Sequence, residues 1–200
     1  MANKEAFHKR KVDTRVEKER FLICCEGAKT EPNYFESFRL PTKKVVELDI
    51  RGAGFNTDSL VKETMRLKDE GDYDQIWCVF DRDSFKSKNF NDAIELAKNN
   101  NIKVAYSNQS FELWYLLHFN YHDTAMSRKD YVKKLEVYLK HYYQKNSETI
   151  YDEILGKQQI AIRNATKLLK TYQPNLSPEK DDPSTTVHIL VSELNKFITY

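Results

Sequence analysis

Acidic side chains close two apolar runs of this chain. Glu26 follows the run FLICC at residues 21–25, and Asp81 and Asp83 follow the run IWCVF at residues 76–80. Short apolar runs bounded by polar turns are typical of strands buried on both faces, and the reactive crevice of an open α/β sheet lies beyond their carboxyl ends. If the two strands are parallel neighbours, we expect the three carboxylates to converge. Grouped oxygen ligands suit Mg²⁺, or Mn²⁺ in its place, so the pattern predicts metal-dependent phosphoryl chemistry.

Each of these acids also has a simpler interpretation. Asp81 and Asp83 are two residues apart, so in extended structure both side chains point to one side, while Arg82 points away. The same spacing is common in turns, and Glu26 could be a solvated carboxylate beside Gly27, which would supply a positive φ. Two strand ends that both finish in acid favour the metal site, because clustered carboxylates repel one another unless a cation offsets them.

Other residues near these strand ends are candidates for binding phosphate or metal. Thr30 is expected to cap a helix whose first N–H groups favour an anion, so Lys29 and Arg82 are predicted to contact phosphate. For Lys29 the alternative is an ordinary exposed lysine with no ligand. Glu112 is a further candidate metal ligand, or an acid placed to favour a helix start. His118, within an aromatic-rich run, is interpreted as a hydrogen-bonded core histidine.

Strands and helices must alternate to position these residues. Apolar patterns predict strands near residues 21–25, 45–50, 76–80 and 102–106, with helices near 30–38, 57–69 and 92–99. This order predicts an α/β fold with a Rossmann-like, mainly parallel four-stranded sheet covered on both faces. After an amphipathic helix at 110–119 the pattern becomes helical, with a proline-rich loop at 173–183 and a last helix from Val187.

The chain divides into three predicted regions. Residues 1–20 form a charged arm, residues 21–120 the α/β core, and residues 121–200 a helical extension that packs on the core. The extension is short and interrupted by prolines, so it is expected to need the sheet for support.

Composition bounds the class of protein. Lys and Arg total 32 against 30 for Asp and Glu, giving a net charge of +2, so any surface for a polyanion must be local. The sequence is 40% hydrophobic and has no run that resembles a signal peptide or a membrane span, so a cytoplasmic protein without a membrane partner is expected. Its cysteines, Cys24, Cys25 and Cys78, all lie in apolar runs and are interpreted as reduced core residues.

Four segments together resemble the RloB family. They are FLICCEGAKTEPNY at 21–34, FDRD at 80–83, SNQSFELWYLLHF at 107–119 and DPSTTVH at 182–188, and they span nearly the whole chain. Gln109 stands where a proline is expected in relatives. That family is associated with bacterial restriction-modification and abortive-infection loci, often beside an ATPase, and its core resembles a TOPRIM domain. The resemblance implies that Glu26, Asp81 and Asp83 are the catalytic acids.

The expected function is therefore Mg²⁺-dependent hydrolysis of nucleic acid, DNA or RNA, in phage defence with an ATPase partner. Asp81 and Asp83 would hold the metal, while Glu26 would complete its ligand shell or act as general acid/base. Water is the simpler nucleophile, and a tyrosine remains open. The main alternative is a non-catalytic module that binds metal or a nucleotide and docks an ATPase. A glycosyltransferase metal site would leave Glu26 unexplained, and the oligomeric state is left open.

Overall fold

The computed structural model describes residues 19–38, 46–52, 57–82 and 87–198. Most of the predicted arm, residues 1–18, lies outside the described residues, and so does Asp83. Within the described ranges the chain forms five strands and eight helices. The strands are β1 (Glu19–Cys25), β2 (Val46–Gly52), β3 (Gln75–Asp81), β4 (Lys103–Asn108) and β5 (Ser184–Thr185). The helices are α1 (Thr30–Glu36), α2 (Thr57–Glu70), α3 (Ser87–Asn99), α4 (Glu112–Leu117), α5 (Arg128–Leu139), α6 (Ile150–Leu155), α7 (Gln158–Lys170) and α8 (Val187–Asn195).

The strands form one sheet in the order β2-β1-β3-β4-β5. The first four strands are parallel, which confirms the predicted α/β class, and β5 pairs antiparallel with the end of β4. The expected number of four strands was wrong. Two residues of β5 are too few to show an alternating pattern, so only their pairing with Ser107 and Asn108 reveals the fifth strand.

Strands β1 and β3 are parallel neighbours at the centre of the sheet. Their register pairs Cys25 with Val79, so the residues after Cys25 and Val79 leave the sheet at the same edge. The first backbone N–H beyond β1, that of Glu26, donates to the carbonyl of Val79 at 2.9 Å. The sheet therefore delivers the end of β1 and the end of β3 to one place.

Alternate residues of each central strand face two different layers. Leu22, Cys24 and Cys78 pack under α2 and α3, whereas Phe21, Ile23 and Trp77 face the larger cluster formed by α1, α4, α5, α7 and α8. Burial on both faces explains why these strands read as continuous apolar runs. The three cysteines are free thiols buried in these layers.

The C-terminal helices cover one face of the sheet and enclose α4. The expected amphipathic helix at 110–119 is shorter and is buried at every position from Glu112 to Leu117, because α5 and α7 pack against it. Asn164 of α7 donates from Nδ2 to the carbonyl of Leu117 at 2.8 Å and satisfies the end of that helix. No helix in the described part of the chain has the length and apolar character needed to cross a membrane.

Removal of residues 121–200 is expected to expose α4 and to make the remaining chain aggregate. Leu113, Trp114 and Leu117 would lose the α5 and α7 side chains that cover them, leaving a contiguous apolar surface. Size-exclusion chromatography of a chain ending at Asn120, beside the full chain, measures this. The fragment 121–200 alone should melt without cooperativity. If either fragment were monomeric and unfolded cooperatively, the two parts of the chain would not share one core.

Candidate functional site

A cavity of about 350 Å³ opens beyond the carboxyl ends of β1 and β3. It lies between the loop after β1, the start of α1, the start of α4 and the first residue of α5. The described residues that line it are Gly27, Ala28, Lys29, Thr30, Glu31, Asp81, Phe111, Glu112, Arg128 and Lys145. Three acidic and three basic side chains therefore share one recess at the edge where open α/β sheets bind ligands.

Asp81, the last residue of β3, is buried at the floor of this cavity. Its Oδ2 accepts a hydrogen bond from the backbone N–H of Phe111 at 3.1 Å and another from Nη2 of Arg128 at 3.3 Å. The first contact fixes the turn that begins α4, and the second reaches the first residue of α5. One carboxylate thus connects the sheet to two elements of the helical half.

Glu26 lies beside Asp81, as their strands predict. Its Oε2 accepts the backbone N–H of Asp81 at 3.1 Å, so this side chain crosses from the end of β1 to the end of β3. Glu26 is not among the described residues that line the cavity. In this geometry Glu26 holds the backbone of Asp81. Asp83, the third predicted acid, lies outside the described residues.

Glu31, on the first turn of α1, is the acid that sequence reasoning missed. It is buried, and it lines the cavity with Asp81 and Glu112. Its carboxylate lies directly over Gly27: a Cβ at Gly27 would lie 2.0 Å from Glu31 Oε2. The φ of Gly27 is outside the left-handed region, so the absence of a side chain, rather than a positive φ, explains this glycine.

Glu112 begins α4 and is also buried in the recess. The hydroxyl of Tyr143 is 3.4 Å from Glu112 Oε1, and Nζ of Lys145 is 3.9 Å from the same oxygen. Both partners come from the loop between α5 and α6. That loop is tied to α1 because Thr30 Oγ1 donates to the carbonyl of Lys145 at 2.9 Å. Thr30 therefore does not cap α1, and the expected cap was wrong.

Burial and mutual repulsion disfavour charge on Glu31 and Asp81. Burial, with a smaller contribution from the neighbouring Glu112, raises the pKa of Glu31 to about 7, while Lys145 and Arg128 oppose the shift. Burial, Glu31 and Glu112 also raise the pKa of Asp81 well above its ordinary value, against Arg128 and the N–H of Phe111. The two cations offset only part of the repulsion, which is the electrostatic setting that a bound cation would relieve.

The basic side chains at the cavity are only in part those predicted for phosphate binding. Lys29 lines the cavity, and its side chain is exposed. Arg82 is not among the described residues that line it. Burial raises the pKa of Asp182, and Gln109 and Arg82 oppose that rise, which places Arg82 beside the segment before β5. Arg128 and Lys145 occupy the cavity instead.

The donor set fits a hard cation in its chemistry. Glu31, Asp81 and Glu112 offer only oxygen ligands, and Mg²⁺ is commonly held by one or two carboxylates with water and substrate phosphate around it. Within the described ranges, no group of three or more His, Cys, Asp and Glu side chains has the arrangement of a metal site. Glu31, Asp81 and Glu112 would hold such an ion together with water and substrate phosphate.

A neighbouring prediction, for His118, is confirmed. His118 is a core histidine, as predicted: its Nδ1 is 2.9 Å from the carbonyl of Trp114, and burial lowers its pKa to about 4. Ser127 caps α5, since its Oγ accepts the N–H of Asp130 at 3.3 Å.

The fold was needed to assign Glu31, Arg128 and Lys145 to the site. In the sequence Glu31 is an ordinary acid of a first helical turn. The only local sign of a contact is Gly27, four residues earlier in EGAKTE. Arg128 and Lys145 follow Asp81 by more than forty residues. No local pattern connects them to the strand end.

Glu31→Gln is expected to stabilise the protein at alkaline pH and not at acid pH. The pKa of Glu31 is raised from 4.5 to about 7, so the folded state binds the extra proton between these values and stability falls as pH rises through that window. The glutamine side chain cannot ionise, so the variant does not lose stability as the pH rises. The free energy of unfolding should exceed wild type by about 3 kcal/mol at pH 8, with little difference below pH 4.5.

Urea unfolding in EDTA at the two pH values measures this difference. Glu36→Gln is the matched control, because Glu36 is exposed at the last position of the same helix. It should leave the pH dependence unchanged. Equal effects of Glu31→Gln at both pH values would show that ionisation of this buried carboxyl does not destabilise the folded state.

Comparison with known families identifies this chain. A family model described as RloB-like protein matches residues 21–194, which include every described residue that lines the cavity. Neither the curated proteins nor the solved structures contain a significant match to the chain. Because the match covers most of the sequence, the chain belongs to the RloB-like family.

Proposed function

We propose that this protein is a divalent-metal-dependent nuclease that hydrolyses phosphodiester bonds in nucleic acid. The observation that carries the proposal is the cavity at the carboxyl edge of the sheet, where Glu31, Asp81 and Glu112 face Lys29, Arg128 and Lys145. Acids of this kind hold a metal ion, and cations beside them bind the phosphate that the metal activates. A recess with both sets is better suited to phosphoryl transfer than to an uncharged substrate.

The residues would divide the work by position. Asp81 is the proposed metal ligand, with Glu31 and Glu112 beside it in the cavity as further oxygen donors. Asp83 is proposed as a ligand from the sequence alone. A bound Mg²⁺ would neutralise the charge that develops on the scissile phosphodiester. Glu26 holds the backbone of Asp81 through its N–H, so its part is to orient that carboxylate, or to exchange a proton with the nucleophile or leaving oxygen.

Water is the proposed nucleophile. Tyr143 and Tyr115 are close enough to Glu112 and Glu31 for these acids to affect them, and burial together with the two acids raises the pKa of both phenols. A phenolate is therefore disfavoured at either position. This argument supports hydrolysis over a covalent tyrosine intermediate.

The biological setting is proposed from the family. The resemblance implies a role in bacterial phage defence beside an ATPase, and we propose that the ATPase controls access of nucleic acid to the cavity.

One observation favours a different function. The Asp81 carboxylate already accepts two hydrogen bonds, from Phe111 and Arg128, which leaves it fewer lone pairs for a catalytic metal ion. A module that binds metal or a nucleotide without cleaving nucleic acid would have this geometry. Mg²⁺ binding measured by calorimetry, with no cleavage at any metal concentration, would favour the module.

Asp81→Asn is expected to reduce metal-dependent cleavage by about 100-fold or more without loss of thermal stability. The amide oxygen can still accept the N–H of Phe111, and one repelling charge is removed. The assay uses labelled single-stranded DNA and RNA with Mg²⁺, Mn²⁺ or EDTA. Asp69→Asn is the control. Asp69 is exposed near the end of α2, and α2 leads into the start of β3, at the edge of the sheet opposite the cavity.

A pair of variants at Glu26 separates its two roles. Glu26→Ala removes the acceptor for the Asp81 N–H and should lose cleavage. Glu26→Gln keeps an acceptor oxygen, so activity that survives only in this variant would show positioning, and loss in both would show proton transfer or metal ligation. Full cleavage activity of Asp81→Asn would contradict the nuclease assignment.

A further inference from the structure

We infer that the outer face of α5 and the loop after it bind single-stranded nucleic acid outside the cavity, with the backbone along a row of lysines and an unpaired base against Tyr142. The inference rests on the proposed function, because it extends the path of the substrate beyond the cavity. The acids of the cavity and their partners take no part in it.

Three lysines form a row on the solvent side of α5. Lys129, Lys133 and Lys140 are exposed, and their spacing of four and seven residues places them on one side of the helix. Within the described residues, none of the three forms an ion pair. The row starts next to Arg128, which lines the cavity, and extends about 16 Å along the helix. It therefore leads from the mouth of the cavity to the loop after α5.

The carboxylates of α5 are engaged with other groups. Asp130 Oδ2 accepts the hydroxyl of Ser127 at 2.6 Å. Glu136 Oε1 accepts the backbone N–H of Tyr143 at 3.2 Å. The lysine row therefore keeps its positive charge for a ligand. A row of charges on a helix is commonly solvated surface, so the choice between these readings depends on what lies at its end.

An exposed aromatic ring lies at the end of the row. Tyr142 follows α5 and is 75% exposed, and Val137 on the last turns of α5 is 74% exposed. Within the described chain no other large apolar side chain is as exposed as these two. A ring that is open to solvent beside basic residues can stack on an unpaired base, since every base has a π face.

A second cavity, of about 390 Å³, adjoins Tyr142. It is lined by residues 141–144 and 146–150, from the loop between α5 and α6 and the start of α6. Two exposed side-chain amides, those of Gln144 and Asn146, offer hydrogen-bond donors and acceptors there. The carboxylate of Glu148 is also in the lining and opposes a phosphate at this point. An aromatic face beside amides therefore suits a neutral nucleobase.

The loop that forms this base pocket is fixed at its backbone by α1. Thr30 Oγ1 donates to the carbonyl of Lys145 at 2.9 Å, and Asn33 Nδ2 donates to the carbonyl of Asn146 at 3.2 Å. A fixed backbone holds Tyr142 in place before the ligand arrives, which reduces the entropy lost on binding. The same loop carries Lys145 to the cavity, so one short segment joins the cavity to the base pocket.

A single strand fits this surface better than a duplex. The faces and edges of an unpaired base are free to stack on a ring and to bond with amides, whereas in a duplex they are stacked and paired within the helix. The phosphodiester backbone of the same strand supplies the negative charges for the lysines. DNA and RNA share this chemistry, and oligonucleotides of both kinds distinguish the source.

The lysine row is tested by fluorescence anisotropy of labelled single-stranded DNA and RNA of about 20 nucleotides with the full chain in EDTA, where metal-dependent cleavage is absent. Lys129→Ala and Lys133→Ala should each weaken binding about fivefold at low salt and lower the slope of log affinity against log salt by about 0.7. Lys134→Ala is the matched control, since Lys134 is exposed on the same helix but lies outside the row, near His122. It should change neither quantity.

The base pocket is tested by the same measurement on Tyr142. Tyr142→Ala should weaken binding about tenfold with no change in the salt slope, because stacking releases no counterions. Tyr142→Phe keeps the ring and should bind as wild type does. With an oligonucleotide of abasic nucleotides, the loss from Tyr142→Ala should vanish while the loss from Lys133→Ala remains. Thermal melting checks that each variant is folded.

The outcomes separate this inference from the nuclease assignment. Cleavage by wild type with Mg²⁺, together with unchanged binding by Lys133→Ala and Tyr142→Ala, overturns the inference and leaves the nuclease standing. Binding that depends on both residues, with no cleavage under any metal, supports the inference and overturns the nuclease. Equal binding of a duplex and a single strand overturns the inference. So does binding to phosphatidylserine vesicles with none to any oligonucleotide.

Discussion

The buried carboxylate of Asp81 is the point on which the arrangement of this protein depends. It ends the strand next to β1, accepts the N–H that starts α4, and pairs with the first residue of α5. Its own backbone is bound by Glu26. A single buried group therefore connects the sheet to the start of α4 and to the start of α5. A carboxylate is suited to this because it can accept several hydrogen bonds, some of them from charged donors.

The same carboxylate carries an electrostatic cost. Asp81 and Glu31 are buried in one recess that Glu112 shares, so burial and repulsion between the acids both raise the pKa of Asp81 and of Glu31. Arg128 and Lys145 reduce that cost without removing it. Sites that bind cations and phosphates are commonly left in this state, because the ligand provides the compensation that the protein lacks.

The contribution of the helical half is the main departure from a simple division into core and extension. The sheet provides the edge, but α5 and the loop before α6 provide the cations that close the recess. The loop is bound to α1 through Thr30 and Asn33. A site assembled across the whole chain can respond to a partner that contacts the helices, which accords with a protein proposed to work beside an ATPase.

The sequence by itself determined the class of fold and one part of the site. The continuous apolar runs at 21–25 and 76–80 predicted buried parallel strands, and the acids after them predicted that Glu26 and Asp81 would meet, since parallel strands end at the same edge. These are local features, set by burial and by chain direction. Only the tertiary structure decided the rest. Glu31 joins the site because Gly27 has no side chain, and Arg128 joins it because α5 is packed over α4. Contacts between residues so far apart depend on how the layers pack, and that information is not contained in any short segment.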